Sequence, residues 1–156
     1  MAGSIDIGSG RIIGFFTNGR ADLLAPVERA LMPVSGLGPF TQINEPVVGT
    51  DNYDFMVQGV ANIVGNHEPY NYGPNYHAES DTYDKVDTHQ LRINAAVVAA
   101  VTLGFANMEV TWQRQTRPEV QHLIDNTSLR AQMDMFYLHE GWLDGSRGRA
   151  DEMTGK

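Results

Sequence analysis

The densest chemistry in this sequence lies in YHAESDTYDKVD, Tyr76 to Asp87, which sets His77 beside Glu79, Asp81 and Asp84. Imidazole binds zinc well, and a carboxylate that takes the other ring proton fixes its tautomer and orientation. Glu79, Asp81 and Asp84 are candidates for that supporting role, and Asp81 is the one singled out. The alternative is an exposed loop histidine with no such duty. Asp6 ends a run that reads as a strand and precedes the turn Gly8-Ser9-Gly10. Functional side chains of open α/β sheets collect at the carboxyl ends of strands, and the glycines would let the backbone turn away and leave the carboxylate facing a cleft. An ordinary turn aspartate has the same local signature. Asp51, in VVGTDNYDF, is either a helix N-cap or a group on the substrate side of a pocket. His67, His89, His122 and His139 share no ligand-like spacing, and His122 and His139 fall in polar helical segments that read as solvated. HExxH, GxSxG and Walker sequences are absent.

These side chains must be held by the elements around them. Ile5 to Ile7 and Arg11 to Thr17 read as short strands either side of the glycine turn. Leu23, Leu24, Val27, Ala30 and Leu31 follow helical spacing over Ala21 to Met32, and Pro33 stops that helix. Phe40 to Ile43 is a further expected strand, Asp51 to Gln58 a short helix ended by Gly59, and Val60 to Val64 a compact β run. Asn66 to Asn75 is a loop on composition. Asp87 with Gln90 makes a capping-box-like start to a helix over Thr88 to Ala106, apolar on nearly every side and so expected in the interior or against a sheet face. From Trp112 the chain turns polar, with helical pieces over Pro118 to Asp125 and Ser128 to Leu138, and GSRGRADEMTGK is expected to fray. Alternation of helices with short strands predicts a three-layer α/β arrangement, a sheet flanked by helices.

The bulk properties exclude more than they select. The 156 residues suit one domain, and 42% apolar content is ordinary for a packed core. A formal net charge of −8 argues against a nucleic-acid partner, which would want a basic face. With no cysteine there are no disulfides, thiolate zinc sites or cysteine nucleophiles. The N-terminal MAGSIDIGSGR has no signal-peptide pattern, and Ile93 to Val101 is too short to span a bilayer. A start this close to a strand reads as the later part of a longer protein.

Taken in order, Asp6 in SIDIGSGRIIGF, Asp51 in GTDNYDFMVQGVA and His77 in YHAESDTYDKVD resemble family 28 of the metallopeptidases, the di-zinc exopeptidases. The closing TRPEVQHLIDNTSLRAQMDMFYLHEGWLDGSRGR looks like the tail of bacterial members. The resemblance implies a partial three-layer α/β/α zinc-exopeptidase fold with its N-terminal part missing. Residues 1–110 would be the C-terminal part of the catalytic domain, and 111–156 a helical extension packed on or trailing from it. It implies hydrolysis of terminal peptide bonds, of aminopeptidase or carboxypeptidase type, by a water activated between two zinc ions.

By motif match Asp6 would be the fourth and His77 the fifth ligand of that site, with Asp51 on the substrate side. The first histidine, the bridging aspartate, the glutamate ligand and the general-base glutamate before it have no counterpart in this chain. The isolated chain is therefore expected to lack peptidase activity and to bind zinc weakly at best. Poor solubility is also expected, from an uncovered apolar face around Ala95 to Val101. The expected partners are a peptide substrate and the remainder of the catalytic domain, and relatives suggest a secreted or periplasmic location. The competing expectation is a catalytically silent module that keeps the peptidase fold for binding or assembly.

Overall fold

The strand Asn62–His67 is central in the computed structural model, which describes residues 1–150. Call it β3. On one side it pairs in parallel with β1 (Ala2–Ser4), Ser4 opposite Val64. On the other it pairs antiparallel with β2 (Ile12–Phe16), and the described residues so form a mixed sheet of order β1-β3-β2. The chain is a mixed α/β protein. The strand expected at Ile5 to Ile7 is displaced: the pairing stops at Ser4, and Ile5 and Asp6 lie beyond it. The expected strand at Phe40 to Ile43 reduces to one bridge, Phe16 with Ile43, supported by Thr41 N–H donating to Ile13 O at 2.8 Å.

Seven α-helices are described: α1 (Leu24–Leu31), α2 (Asn52–Val57), α3 (Tyr72–Asn75), α4 (Thr88–Asn107), α5 (Arg117–Asn126), α6 (Leu129–Met135) and α7 (His139–Leu143). Neighbouring residues on β3 face opposite ways. Ile63 joins a core with Ile12, Phe15, Val27, Leu31, Val97 and Val101, so α1 and α4 cover that face. Asn62 turns to the other face, where Asn18 Nδ2 donates to its Oδ1 at 2.6 Å and α2 packs through Asn52. A second core joins Tyr53, Met56 and Val57 of α2 to Val120, Ile124, Leu129, Met133 and Trp142. Helices from beyond residue 110 thus share a core with α2.

The α4 helix starts as the sequence requires, with Asp87 Oδ1 accepting from Gln90 N–H at 2.9 Å. Its apolar surface is not all interior, however. Asn94, Val97 and Val101 are buried, whereas Leu91, Ala95, Ala96, Ala99 and Leu103 stand exposed. Two further expectations are corrected. The tail is pinned well past Gly145: Arg149 N–H donates to Val57 O at 2.9 Å and Gln58 Nε2 donates to Gly148 O at 2.8 Å. The rest of the stretch expected to fray, 151–156, lies outside the described residues. His139 is buried rather than solvated, because α7 folds back on the second core beside Leu138 and Trp142, while His122 is exposed as expected.

Candidate functional site

Because β1 and β3 are parallel, their carboxyl ends lie at the same end of the sheet. From β1 the chain runs through Ile5 and Asp6 into Gly8-Ser9-Gly10, and from β3 it runs through Glu68 to α3. Between the two segments lies a cleft of about 610 Å³, within the size range of small-ligand sites. Its lining includes Asp6, Tyr70, Tyr72, Tyr76, His77 and Asp81. The topological place is the one where α/β sheets gather their ligands.

The glycine turn lets the two walls come together. At Gly8, φ is +75° and an added Cβ would lie 2.9 Å from the Tyr72 ring, so any larger residue there would push α3 away. At Gly10 the Glu68 carbonyl oxygen occupies the place of a side chain, 1.8 Å from where a Cβ would stand. The turn is also tied from beneath. Gly10 O accepts from His67 Nδ1 and from Asn94 Nδ2, each at 2.8 Å, and Ser9 Oγ accepts from Asp87 N–H at 3.1 Å. A carbonyl only accepts, so His67 carries its proton on Nδ1. Its buried Nε2 has no hydrogen-bond partner among the described residues. Burial pushes the His67 pKa below its ordinary value, against the opposing pull of the Gly10 carbonyl.

On the opposite wall His77 has φ +54°, a left-handed backbone uncommon outside glycine and asparagine. Its ring stacks on Tyr76 at 3.9 Å between centroids, and Tyr76 in turn lies 5.2 Å from Tyr72. Burial raises the Tyr72 hydroxyl pKa, and the nearby Tyr76 hydroxyl and Asp6 carboxylate add to the rise. Asp6 is therefore close enough to Tyr72 for its charge to act there.

Asp6 and His77 thus line one cleft with Asp81, and no hydrogen bond joins the His77 and Asp81 side chains among the described residues. Asp84 points its carboxylate at Lys85 and Thr82, and the Lys85 ammonium, with help from the Thr82 hydroxyl, lowers its pKa. Glu79 is exposed and does not line the cleft. Asp51 stands exposed at the start of α2, outside the lining, and its side chain makes no capping bond. Thr50 takes the cap's place, with Asn52 N–H donating to its Oγ1 at 3.3 Å. Gly49, two residues before Asp51, does line the cleft.

Comparison of the chain with protein-family models, with curated proteins and with solved structures finds no match in any of the three.

Two parts of the site went unseen in the sequence. One is the tyrosine wall, whose only trace is the helical spacing of Tyr72 and Tyr76. The other is the support of the loop that carries Gly49. Gln132 of α6 grips its backbone twice: Oε1 accepts from Val48 N–H and Nε2 donates to Pro46 O, both at 2.9 Å. Asn18 Oδ1 accepts from Val47 N–H at 2.9 Å, and Asn52 Nδ2 donates to Val47 O at the same distance. Nothing local in the sequence marks these partners, which lie far apart in the chain.

As metal donors, carboxylate and imidazole suit zinc. Two of them do not close a catalytic site, which takes three protein ligands and a water. Among the described residues no group of three or more His, Asp or Glu is placed to hold a metal ion. Among the described residues, no helix is long and apolar enough to cross a membrane.

Proposed function

We propose that the chain forms one wall of a di-zinc exopeptidase site, with Asp6 and His77 each supplying a ligand. The carrying observation is that these two residues, far apart in sequence, line the same cleft at the carboxyl ends of β1 and β3. On this reading the fold is part of a three-layer α/β/α peptidase domain. The remaining ligands and the glutamate that deprotonates the attacking water come from outside these 156 residues. When bound, two zinc ions polarise the peptide carbonyl and lower the pKa of water. The contribution of this chain is to hold a carboxylate and an imidazole at the metal and to shape the cleft for a peptide end. The left-handed backbone at His77 supports an aimed rather than incidental ring, since such conformations cluster at functional sites. Asp51 belongs to this reading only through its neighbour Gly49.

The test uses the full-length protein with Asp6→Ala and His77→Ala. Each substitution is expected to lower zinc content and the hydrolysis of aminoacyl-nitroanilides. Full zinc and full activity in both variants would remove the ligand assignment. Zinc retained with no hydrolysis by the unsubstituted protein would favour a silent module with the peptidase fold.

A further inference from the structure

The end of α6 breaks a local rule. Its last turn closes as a Schellman motif, with Phe136 as the cap: Leu138 N–H donates to Met133 O at 2.8 Å and Tyr137 N–H to Asp134 O at 3.3 Å. The residue after the cap must then turn left-handed, a place normally filled by glycine or asparagine. Here it is Tyr137, at φ +56°, a strained backbone for a tyrosine. The ring gives the fold nothing in exchange. Tyr137 is 93% exposed and makes no hydrogen bond or ring contact among the described residues. A strained residue without a contact of its own in the chain is placed for something outside it. Its neighbours are exposed as well, Met135 at 72% and Phe136 beside it. The Phe136 ring is seated 3.4 Å from where a Cβ on Gly49 would stand, so the three side chains form an apolar knuckle with a fixed base. Carboxylates border it. Glu140 follows on α7, and Glu45 precedes Pro46, whose carbonyl accepts from Gln132 one turn before Phe136. Both glutamates are exposed, and neither forms an ion pair among the described residues. Arg130, the cation on α6, is already taken by Asp134 at 2.9 Å.

We propose that Met135, Phe136 and Tyr137 are the docking point for a basic amphipathic segment of another protein, one whose apolar side chains are interleaved with lysine or arginine. The apolar side chains cover the knuckle, and the cations meet Glu140 and Glu45. A bilayer surface is neutral or anionic and offers those carboxylates no opposite charge, so charge favours the protein partner. The inference stands apart from the exopeptidase reading, which gives none of these residues a role.

The experiment is a heteronuclear NMR titration of the 156-residue protein at physiological salt with an amphipathic leucine–lysine peptide and its leucine–glutamate twin. The lysine peptide is expected to bind with shifts centred on residues 134–140, and the glutamate twin to bind roughly tenfold weaker or less. Tyr137→Gly is the informative variant. Glycine suits φ +56°, so Tm should hold or rise. Affinity for the lysine peptide should nevertheless fall about tenfold, the loss of one aromatic anchor. The substitution leaves the net charge of −8 unchanged, so diffuse attraction to a basic peptide is the same in both proteins. Glu140→Gln should weaken the lysine peptide roughly threefold, the size of an exposed ion pair. Full affinity in Tyr137→Gly, a glutamate twin that binds as tightly, or shifts confined to another surface would overturn the proposal. A lower Tm in Tyr137→Gly would overturn it too, because the ring would then be serving the fold. Binding to phosphatidylcholine vesicles through the same residues, with the lysine peptide unbound, would give the knuckle to a lipid surface and reject the protein partner.

Discussion

Gly10→Ala tests whether the turn beside Asp6 is as tightly built as its geometry requires. The new methyl would lie 1.8 Å from Glu68 O and 2.9 Å from Glu68 C, and these are backbone atoms that cannot rotate aside. Glu68 N–H donates to Arg11 O at 2.8 Å, next to the pairing of Ile12 with His67, so a shift of this peptide strains the end of the sheet. Gly10 O must also keep its two donors, His67 and Asn94. Overpacking of this kind costs about 1–3 kcal/mol, and one weakened hydrogen bond adds about 1 kcal/mol. The sum, about 2–4 kcal/mol, corresponds to a fall in Tm of about 4–16 °C for a chain of this size. Gly36→Ala is the control, because nothing lies within 4 Å of its added Cβ. Thermal unfolding followed by circular dichroism, with urea titration at 25 °C, would measure both. A Gly10→Ala variant within about 0.5 kcal/mol of the parent, indistinguishable from a neutral surface change, would refute the tight turn.

Other expectations follow from the same structure. His67 is held neutral by burial, so its pKa in the folded state lies below the 6.5 it has when unfolded. Its contribution to stability is thus intact above about pH 6.5 and lost as the pH falls toward the folded value. His67→Asn, which can keep a donor to Gly10, should flatten that acid limb in urea titrations run from pH 7 to 5, and an unchanged limb would exonerate His67. Gln132→Ala removes two bonds to the Pro46–Val48 backbone and should cost about 1–3 kcal/mol. The Val48 amide should then exchange with solvent faster, and unaltered exchange would mean the loop is held by Asn18 and Asn52 alone. Leu103 is 64% exposed on the uncovered face of α4. Leu103→Lys should raise the monomeric fraction in sedimentation velocity if that face drives association, and an identical distribution would acquit it.

Local signals marked α1, α2, α4 and α5, whereas α3 lies in the stretch read as a loop and α7 beyond the expected tail helices. Of the residues whose spacing marks the first helix, Val27, Ala30 and Leu31 are buried within α1 and Leu23 just before it, while Leu24 is half-buried. Thr116 and Glu119 form a complete capping box, and α5 begins between them. The sheet was harder because pairing is non-local. Ala2-Gly3-Ser4 has no β-branched residue, and it is a strand only because β3 offers it a parallel edge. Ile5 to Ile7 has the better composition but lies past the register. Asn52 falls in the expected helix and Asn62 in the expected β run, but nothing local marks that they and Asn18 are buried and satisfy one another across 44 positions of chain at most. At the site, the order of Asp6 and His77 was legible, and so was a turn that could aim Asp6. The packing of Tyr72 on Gly8 and of Glu68 on Gly10 was not, because the first joins segments that follow the parallel pair β1 and β3 and the second segments at the end of the antiparallel pair β2 and β3.

The most direct measurement is a Zn²⁺ titration of the 156-residue protein and of its Asp6→Ala and His77→Ala variants, followed through the His77 imidazole resonances and by calorimetry. If Asp6 and His77 each supply a ligand of the two-zinc site, binding is weak, perturbs the His77 ring in the parent chain, and is weakened in each variant. Binding that persists unchanged in both variants, or that leaves the His77 ring untouched, would contradict the ligand assignment.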